Sequence, residues 1–480
     1  MRGQLFLLET RRLLRHPLVW GATVLVLALQ TFLSWDQQPN LSIDPVNATG
    51  LSTCLAAVVL VVASLATSRD GRHKMPESLA SLPGRAEHRT SAILLATPLA
   101  AGLAAAVAAG GYLVIRLLSG PAGGRLDVWE PLTAVSAAMF AATLGVAVGR
   151  WARWLIAGPL TVAVLGYLIF QNPFNGAAGW LLPVMQVHRP DWPDRPSAIH
   201  LLYVLALAVA LGGLALLKHG VRLAPAVAVV AALAVAVPAG AIAAAEQPVV
   251  RPSPGELSMD DVDSRVRERY FGPDAHRCSD RQGITYCAYA GYEPWIPLWE
   301  KTIRPVVDAL PTALRARVPR VEQMTSTWSF GHNLNAPLVR PPMEWGHPDQ
   351  RTILAQDVAF WATGLNDSAA RAYMAHPGKG CDVRGQARTV VALWLIGQVS
   401  PAEQPRDLHV DGIQGRRPGT YWGAAEVGYA QLLFATPGAG EKVRANWDTL
   451  MKPATTIDQA LPLLGLDRKS DSPTGATPCR

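Results

Sequence analysis

The chain has 480 residues, enough for two or three domains, with 50% apolar residues and a formal net charge of +7. All of that charge falls in residues 1–245, which hold 17 Lys/Arg against 10 Asp/Glu, whereas residues 246–480 hold 26 of each. The positive charges lie in short segments beside long Ala, Leu and Val runs, which is typical of membrane topology and argues against nucleic-acid binding.

Residues 1–16 precede the first apolar run and predict an amphipathic helix at a membrane interface. Three arginines cluster on one side of this helix: Arg11, Arg12 and Arg15. Apolar side chains lie largely on the other side: Phe6, Leu7, Leu13 and Leu14. The alternative is a cytoplasmic extension of the first span.

Seven apolar segments approach the roughly 20 residues that a helix needs to cross a bilayer. They cover about residues 17–35, 50–68, 91–118, 130–149, 154–171, 199–217 and 224–245. No small-residue cleavage site follows the first of them, so we expect it to remain as a span. The segments are rich in Ala and Gly, which favours close helix packing.

The loop from Arg69 to Thr90 follows the second span and contains a short predicted helix. Pro76 begins this helix and Pro83-Gly84 ends it. The residues that would face a partner are Glu77, Ser78, Leu79 and Leu82. An ordinary solvated loop is the alternative.

The distribution of Lys and Arg predicts which side of the membrane each loop occupies. With the N-terminus inside, thirteen Lys/Arg lie at the inner ends of the spans and four at the outer ends. The four outer ones are Arg116, Arg125, Arg189 and Arg195. An odd number of spans then places residues 246–480 outside the cell.

The loop from Gln171 to His200 contains several Trp and Pro residues. It is predicted either to dip into the outer leaflet with Trp180 and Trp192 at the interface, or to be a plain extracellular loop.

Residues 246–270 read as a tether that ends in a helix over 260–269, and residues 271–480 as a mainly helical extracellular domain. Residues 277–289 predict a hairpin with Gly283 at its turn. Helical stripes follow: Leu354, Val358 and Trp361; Val390, Val391, Trp394 and Leu395; Tyr429, Leu432 and Leu433; Ile457, Leu461 and Leu464. Four cysteines allow three pairings, of which Cys278 with Cys287 and Cys381 with Cys479 are favoured; unpaired thiols are the alternative.

Several functions lack their sequence signature. No Asp, Glu, Lys or His lies near the middle of a span, which argues against transport driven by protons or sodium. No Gly-x-x-x-x-Gly-Lys-Ser/Thr or His-Glu-x-x-His pattern occurs, nor a Gly-x-Ser-x-Gly elbow. A metal site built from His332, Glu344 and His347 is a weak alternative. The sequence predicts no catalytic, cofactor or metal site, so any ATP hydrolysis must come from a partner.

Residues 1–220 resemble the ABC-2 type permeases, the membrane subunits of bacterial ABC exporters. The resemblance rests on the entry Leu8 to Pro17, on the loop with Glu77-Ser78-Leu79 and Leu82-Pro83, and on six spans with a broken outer loop before the sixth. It implies a six-helix transmembrane domain over 17–223 and a coupling helix that touches the ATPase. The seventh span, 224–245, and the outer domain depart from that family's pattern.

The sequence therefore predicts an α-helical membrane protein with a bundle of six to seven transmembrane helices. The expected function is export of a lipophilic, lipid-like, peptide or antibiotic-like substrate across the bacterial plasma membrane. Expected partners are an ATP-binding subunit, which holds the ATP, a second permease copy, and the lipid bilayer. Two alternatives stay open: a membrane-anchored extracellular enzyme resembling a degenerate peptidase, and a non-transporting sensor or assembly protein.

Overall fold

A computed structural model describes residues 2–72, 86–152, 154–172, 177–245, 263–325, 339–366, 381–399 and 420–467. The chain divides into two compact units, Met1–Arg267 and Glu268–Arg480. Both are mainly helical, as the sequence predicts.

The described part of the first unit forms eight α-helices. They are α1 (Arg2–Leu14), α2 (Pro17–Leu33), α3 (Asp44–Arg72), α4 (Ala86–Ser119), α5 (Trp129–Trp151), α6 (Ala157–Gln171), α7 (Ser197–Leu217) and α8 (Leu223–Ala245). Each of the seven apolar segments thus lies in a helix. A short 3₁₀-helix, Ala177–Leu181, lies in the loop between α6 and α7.

Five described helices are long and apolar enough to cross a membrane: α3, α4, α5, α7 and α8. Helix α2 reaches that length only together with α1, from which it is bent by 47°. Helix α6 has 15 residues, about 22 Å at 1.5 Å per residue, against about 30 Å for the hydrocarbon core. Segments 17–35 and 154–171 therefore form helices that are shorter than the other five apolar helices.

Small side chains let the helices of the first unit pack closely. One core cluster joins Val19 and Val26 of α2 to Leu55 of α3, with alanines of α4 and α5 filling the space between them. Gly145 of α5 lies against the backbone of α3, where a Cβ would overlap the Leu60 carbonyl oxygen. One turn later, a Cβ at Gly149 would lie 2.6 Å from the Ser64 carbonyl oxygen. This small-xxx-small spacing brings α3 and α5 together.

Helix α1 packs its apolar side on the bundle. Leu13 is buried against Val62 of α3 and Ala96 of α4, and Phe6 and Leu14 pack at the edge of the same cluster. Leu7 is exposed on this helix. In the loop before α7, Trp180 and Trp192 are buried within the protein, which contradicts the prediction of Trp at a membrane interface and leaves the plain-loop alternative open.

Helix α9 runs Ser264–Phe271, so it includes the residue at which the chain divides and starts later than the predicted 260–269. Strands β1 (His276–Arg281) and β2 (Ile284–Tyr289) form an antiparallel hairpin, and β3 (Val321–Glu322) pairs with β2 in parallel. Gly283 has φ +80° at the turn, a conformation that suits Gly. The hairpin prediction is confirmed.

The helices of the second unit surround one buried helix. They are α10 (Ile296–Ala309), α11 (Thr312–Arg315), α12 (Pro348–Ala362), α13 (Ala387–Ile396), α14 (Ala424–Ala435), α15 (Ala439–Ala445), α16 (Trp447–Leu450) and α17 (Ile457–Leu464). All ten residues of α13 are buried. Strands β4 (Cys381–Asp382) and β5 (Thr420–Tyr421) pair in parallel. The four predicted helical stripes therefore lie on helices.

The disulfide between Cys278 and Cys287 joins directly opposed residues of β1 and β2. In the Cys278→Ser/Cys287→Ser variant, the second unit is expected to lose on the order of 2–3 kcal/mol of stability. Without the disulfide, the unfolded chain is no longer constrained by a closed loop between two cysteines nine residues apart, so its conformational entropy rises. Hydrogen exchange of the β2 amides measures the loss. Cys54→Ser, at an exposed free thiol, is the control and should stay within about 0.5 kcal/mol of the parent. Equal exchange in both variants would contradict a stabilising disulfide.

Candidate functional site

An apolar crevice runs along α3 and contains two cavities that share lining residues: the larger lies mainly against α1 and the start of α2, the smaller between α3, α5 and α6. The wider cavity has a volume of about 530 Å³ and the narrower one about 230 Å³. Ala57 of α3 and Val162 of α6 line both. Together the two cavities follow α3 from Thr53 to Arg69, most of the length of that helix.

The crevice exists because α6 packs loosely against its neighbours. At Gly158 the helix touches α3, since a Cβ there would lie 3.0 Å from the Ser64 side chain. At Gly166, two turns later, a Cβ would meet no atom within 4 Å. Most other side chains of α6 are exposed, including Tyr167 and Phe170. Small residues on the facing helices, such as Ala57, leave the space between them unfilled.

The two ends of the crevice differ in chemistry. The wider cavity ends among ionisable side chains of α1, the α1–α2 corner and α3: Glu9, Arg12, His16 and Arg69. The narrower cavity ends at Pro183 and Val184 of the loop before α7. Between them the walls are apolar, and Cys54 is the exposed free thiol on the narrower wall. Such a surface can hold a lipophilic molecule along its length.

A buried ion pair closes the bundle at the end where α3 begins. Arg116 Nε donates to Asp44 Oδ2 at 3.0 Å, and the two side chains are almost fully buried. The same guanidinium donates to the carbonyls of Ser34, Gln37 and Gln38 at 2.7–2.8 Å. Arg116 therefore fixes the α2–α3 connection onto α4.

A second buried ion pair lies at the same end of the bundle. Arg195 Nε lies 3.2 Å from Glu130 Oε2, which also accepts from the Ser197 hydroxyl at 2.8 Å. The Arg195 guanidinium stacks 5.1 Å from the Trp180 ring centre, and Trp180 packs edge-on against His200. These contacts hold the loop before α7, and with it Pro183 and Val184, against the bundle.

The opposite end of the bundle carries mostly basic groups, and it includes the residues that follow segment 73–85. Glu87 pairs with Arg222, and the Thr90 hydroxyl lies 2.7 Å from His219 Nε2. Burial, followed by the nearby Arg150 guanidinium, lowers the pKa of His219. A neutral His219 is thereby favoured beside these cations.

The structure leaves the predicted coupling residues undescribed and places the arginines of the first helix. Glu77, Ser78, Leu79 and Leu82 lie outside the described residues. Arg11 and Arg12 lie on α1, and Arg15 follows it; all three are exposed. Of these arginines, Arg12 lines the wider cavity.

The predicted cysteine pairs and the weak metal alternative have different outcomes. The Cys278–Cys287 pair is confirmed. Cys381 begins β4, but Cys479 lies outside the described residues, so that pairing stays a prediction. His332 is also outside them, while His347 caps α12. Within the described ranges, no three His, Cys, Asp or Glu side chains come together as a metal site.

Sequence reasoning missed the crevice and the two ion pairs. The sequence held one signal for the ion pairs. Asp44 and Glu130 lie at the starts of α3 and α5, on the side of the membrane to which the Lys/Arg distribution assigns Arg116 and Arg195. The crevice had none, because Gly145 and Gly166 occur in similar Ala- and Gly-containing spans, yet one is packed and the other open.

Comparisons with protein-family models, with curated proteins and with solved structures give no match for this chain.

Proposed function

We propose that the chain is the transmembrane permease subunit of an ATP-driven ABC exporter. The crevice along α3 carries this proposal, because its two cavities place apolar surface for a lipophilic molecule along a helix long enough to cross a membrane. The energy source is a separate ATP-binding subunit that docks on the loop over Arg69–Thr90. A second permease copy completes the transporter.

The topology that goes with this proposal has the N-terminus in the cytoplasm of a bacterial cell and the second unit outside. The thirteen-to-four distribution of Lys/Arg supports it. The buried carboxylates of Asp44 and Glu130 strengthen it further, because they neutralise Arg116 and Arg195, two of the four outer charges. The disulfide of the second unit is compatible with an oxidising exterior.

In this topology the α1–α2 pair and α3, α4, α5, α7 and α8 account for six passages. Helix α6 supplies the seventh, although its apolar length is short. The second unit then acts as a binding or gating module outside the cell.

Co-purification tests directly whether a separate ATP-binding subunit associates with the chain. The tagged full chain, extracted from its own membranes with mild detergent, is expected to bring with it an ATP-hydrolysing subunit at a fixed stoichiometry. The Glu77→Arg/Leu79→Asp variant should lose that partner while the Cys278–Cys287 disulfide still forms. A chain that purifies without any ATP-binding protein would instead favour a sensor, or an enzyme held at the membrane.

The crevice is tested by filling it. Gly166→Phe adds a ring where a Cβ would meet open space, so the fold should tolerate it while the path is blocked. We expect at least a tenfold loss of ATP-dependent movement of a fluorescent short-chain phospholipid between leaflets. Gly110→Phe is the matched control, since Gly110 of α4 is also open but lies on neither cavity wall. Equal transport by both variants would exclude this crevice as the path.

The thiol of Cys54 allows a second test of the crevice, by the rate of its chemical labelling. Cys54 is exposed on the crevice wall, so a membrane-permeant maleimide should label it, and ATP should change the labelling rate if the crevice opens and closes during turnover. Cys54→Ser provides the background. A rate that does not depend on ATP would contradict a role of the crevice in transport.

A further inference from the structure

The wider cavity combines an apolar floor with a charged rim. Its floor is made by α3 and α6 and includes Ala57, Val58, Val61, Val62 and Val162. Its rim carries two guanidinium groups, on Arg12 and Arg69, and the imidazole of His16, against the single carboxylate of Glu9. The rim therefore has an excess of positive charge directly above an apolar surface.

The rim lies at the end of an apolar span. The membrane-length part of α3 covers Asp44–Arg69, so Arg69 is its last residue. Arg12 is near the end of α1, and the bend of 47° between α1 and α2 lies beside it. In the topology proposed above, the charged groups lie at the level at which a bilayer presents its phosphates, and the floor lies at the level of the acyl chains.

We propose that this cavity binds one anionic phospholipid, with the headgroup phosphate at Arg12 and Arg69 and an acyl chain along the floor. A volume of about 530 Å³ lies within the roughly 300–1,000 Å³ of ordinary ligand sites. Guanidinium groups are well suited to phosphate, and basic pockets beside membrane helices recognise anionic headgroups. A net-negative headgroup matches the excess of positive charge better than a zwitterionic one.

The bound lipid would link elements that otherwise share little contact. Its headgroup would join α1 to the end of α3, and its chain would touch α6 through Val162, which lines both cavities. This binding does not depend on transport: it requires the cavity and its two arginines, and neither ATP nor a partner subunit.

Lipid retention by the purified full chain tests the proposal. Native mass spectrometry in mild detergent compares phosphatidylglycerol with phosphatidylcholine of identical acyl chains. The parent should retain one phosphatidylglycerol preferentially. The Arg12→Gln/Arg69→Gln variant should lose that lipid by roughly ten- to thirty-fold while its weak phosphatidylcholine retention stays unchanged. Arg12 is exposed and Arg69 half-buried, so this double variant is expected to fold.

The matched control removes the same number of charges from the same region without touching the cavity. Arg11→Gln/Arg15→Gln should retain phosphatidylglycerol like the parent, since neither arginine lines the cavity. Equal losses in the two variants would overturn the proposal and indicate diffuse attraction of lipid to a basic surface. Displacement by millimolar inorganic phosphate would overturn it as well, because an anion site alone needs no acyl chain. Equal retention of phosphatidylglycerol and phosphatidylcholine by the parent would also overturn the proposal, because the site would then not prefer an anionic headgroup.

Discussion

Replacing Arg116 by methionine is expected to lower the free energy of unfolding of the first unit by about 3–5 kcal/mol. The change leaves the Asp44 carboxylate buried without its cation, and it leaves three carbonyls of the α2–α3 connection, at Ser34, Gln37 and Gln38, without their donor. Burying an unpaired charge is far more costly than losing a solvated one. Urea unfolding in mixed micelles, followed by tryptophan fluorescence, measures the effect.

Two controls separate the charge from the packing. In the Arg116→Met/Asp44→Asn chain the buried charge is gone, and the Asn carboxamide can accept from the Asn40 amide through its oxygen and donate to the Tyr112 hydroxyl through its nitrogen. This double variant should recover more than half of the loss. Arg125→Met, at an exposed arginine on the same side, should change stability by less than about 0.5 kcal/mol. Similar losses for Arg116→Met and Arg125→Met would show that the buried pair is not essential.

A single methyl group at Gly145 is expected to cost about 1–3 kcal/mol. The added Cβ would overlap the Leu60 carbonyl oxygen and lie 2.9 Å from the Ala63 Cβ. Backbone cannot move aside as the end of a flexible side chain can, so α3 and α5 must separate. The close contact between α3 and α5 at Gly145 is then lost, and the small-xxx-small packing with it.

Gly166→Ala is the matched control for Gly145→Ala. Both exchanges remove a helical glycine, which favours the helix by up to about 1 kcal/mol, but only at Gly166 is there room for the methyl group. We expect Gly166→Ala to be as stable as the parent or slightly more so. Thermal unfolding in the same detergent compares the two variants. A Gly145→Ala chain as stable as Gly166→Ala would contradict the close approach of α3 and α5.

Local patterns predicted the elements of this fold well. Apolar runs located the seven helices, because a continuous apolar stretch requires burial whatever surrounds it. Residues 277–289 gave the hairpin and its disulfide, because Gly283 and two nearby cysteines act within a few residues of each other. The apolar stripes around Val391 and Leu461 likewise lie on buried helix faces.

Features that depend on distant residues were not predicted. The Asp44–Arg116 pair joins residues 72 positions apart, and the Glu130–Arg195 pair likewise joins α5 to the loop before α7, so no local pattern fixes either one. One of the two predictions for the loop before α7 placed Trp180 at a membrane interface, yet Trp180 is buried and packs against His200 and Arg195. The crevice is harder still to predict, because it results from contacts that α6 does not make.

Helix α4 has a length that the bilayer alone does not require. Its 34 residues extend about 51 Å, roughly 20 Å more than the hydrocarbon core. Its first residues, Glu87 to Thr90, adjoin segment 73–85, and α1 packs along it. A displacement applied at that segment would therefore move the whole of α4 as one helix. Pro98 has no backbone N–H to donate, so the helix would bend most easily at that residue.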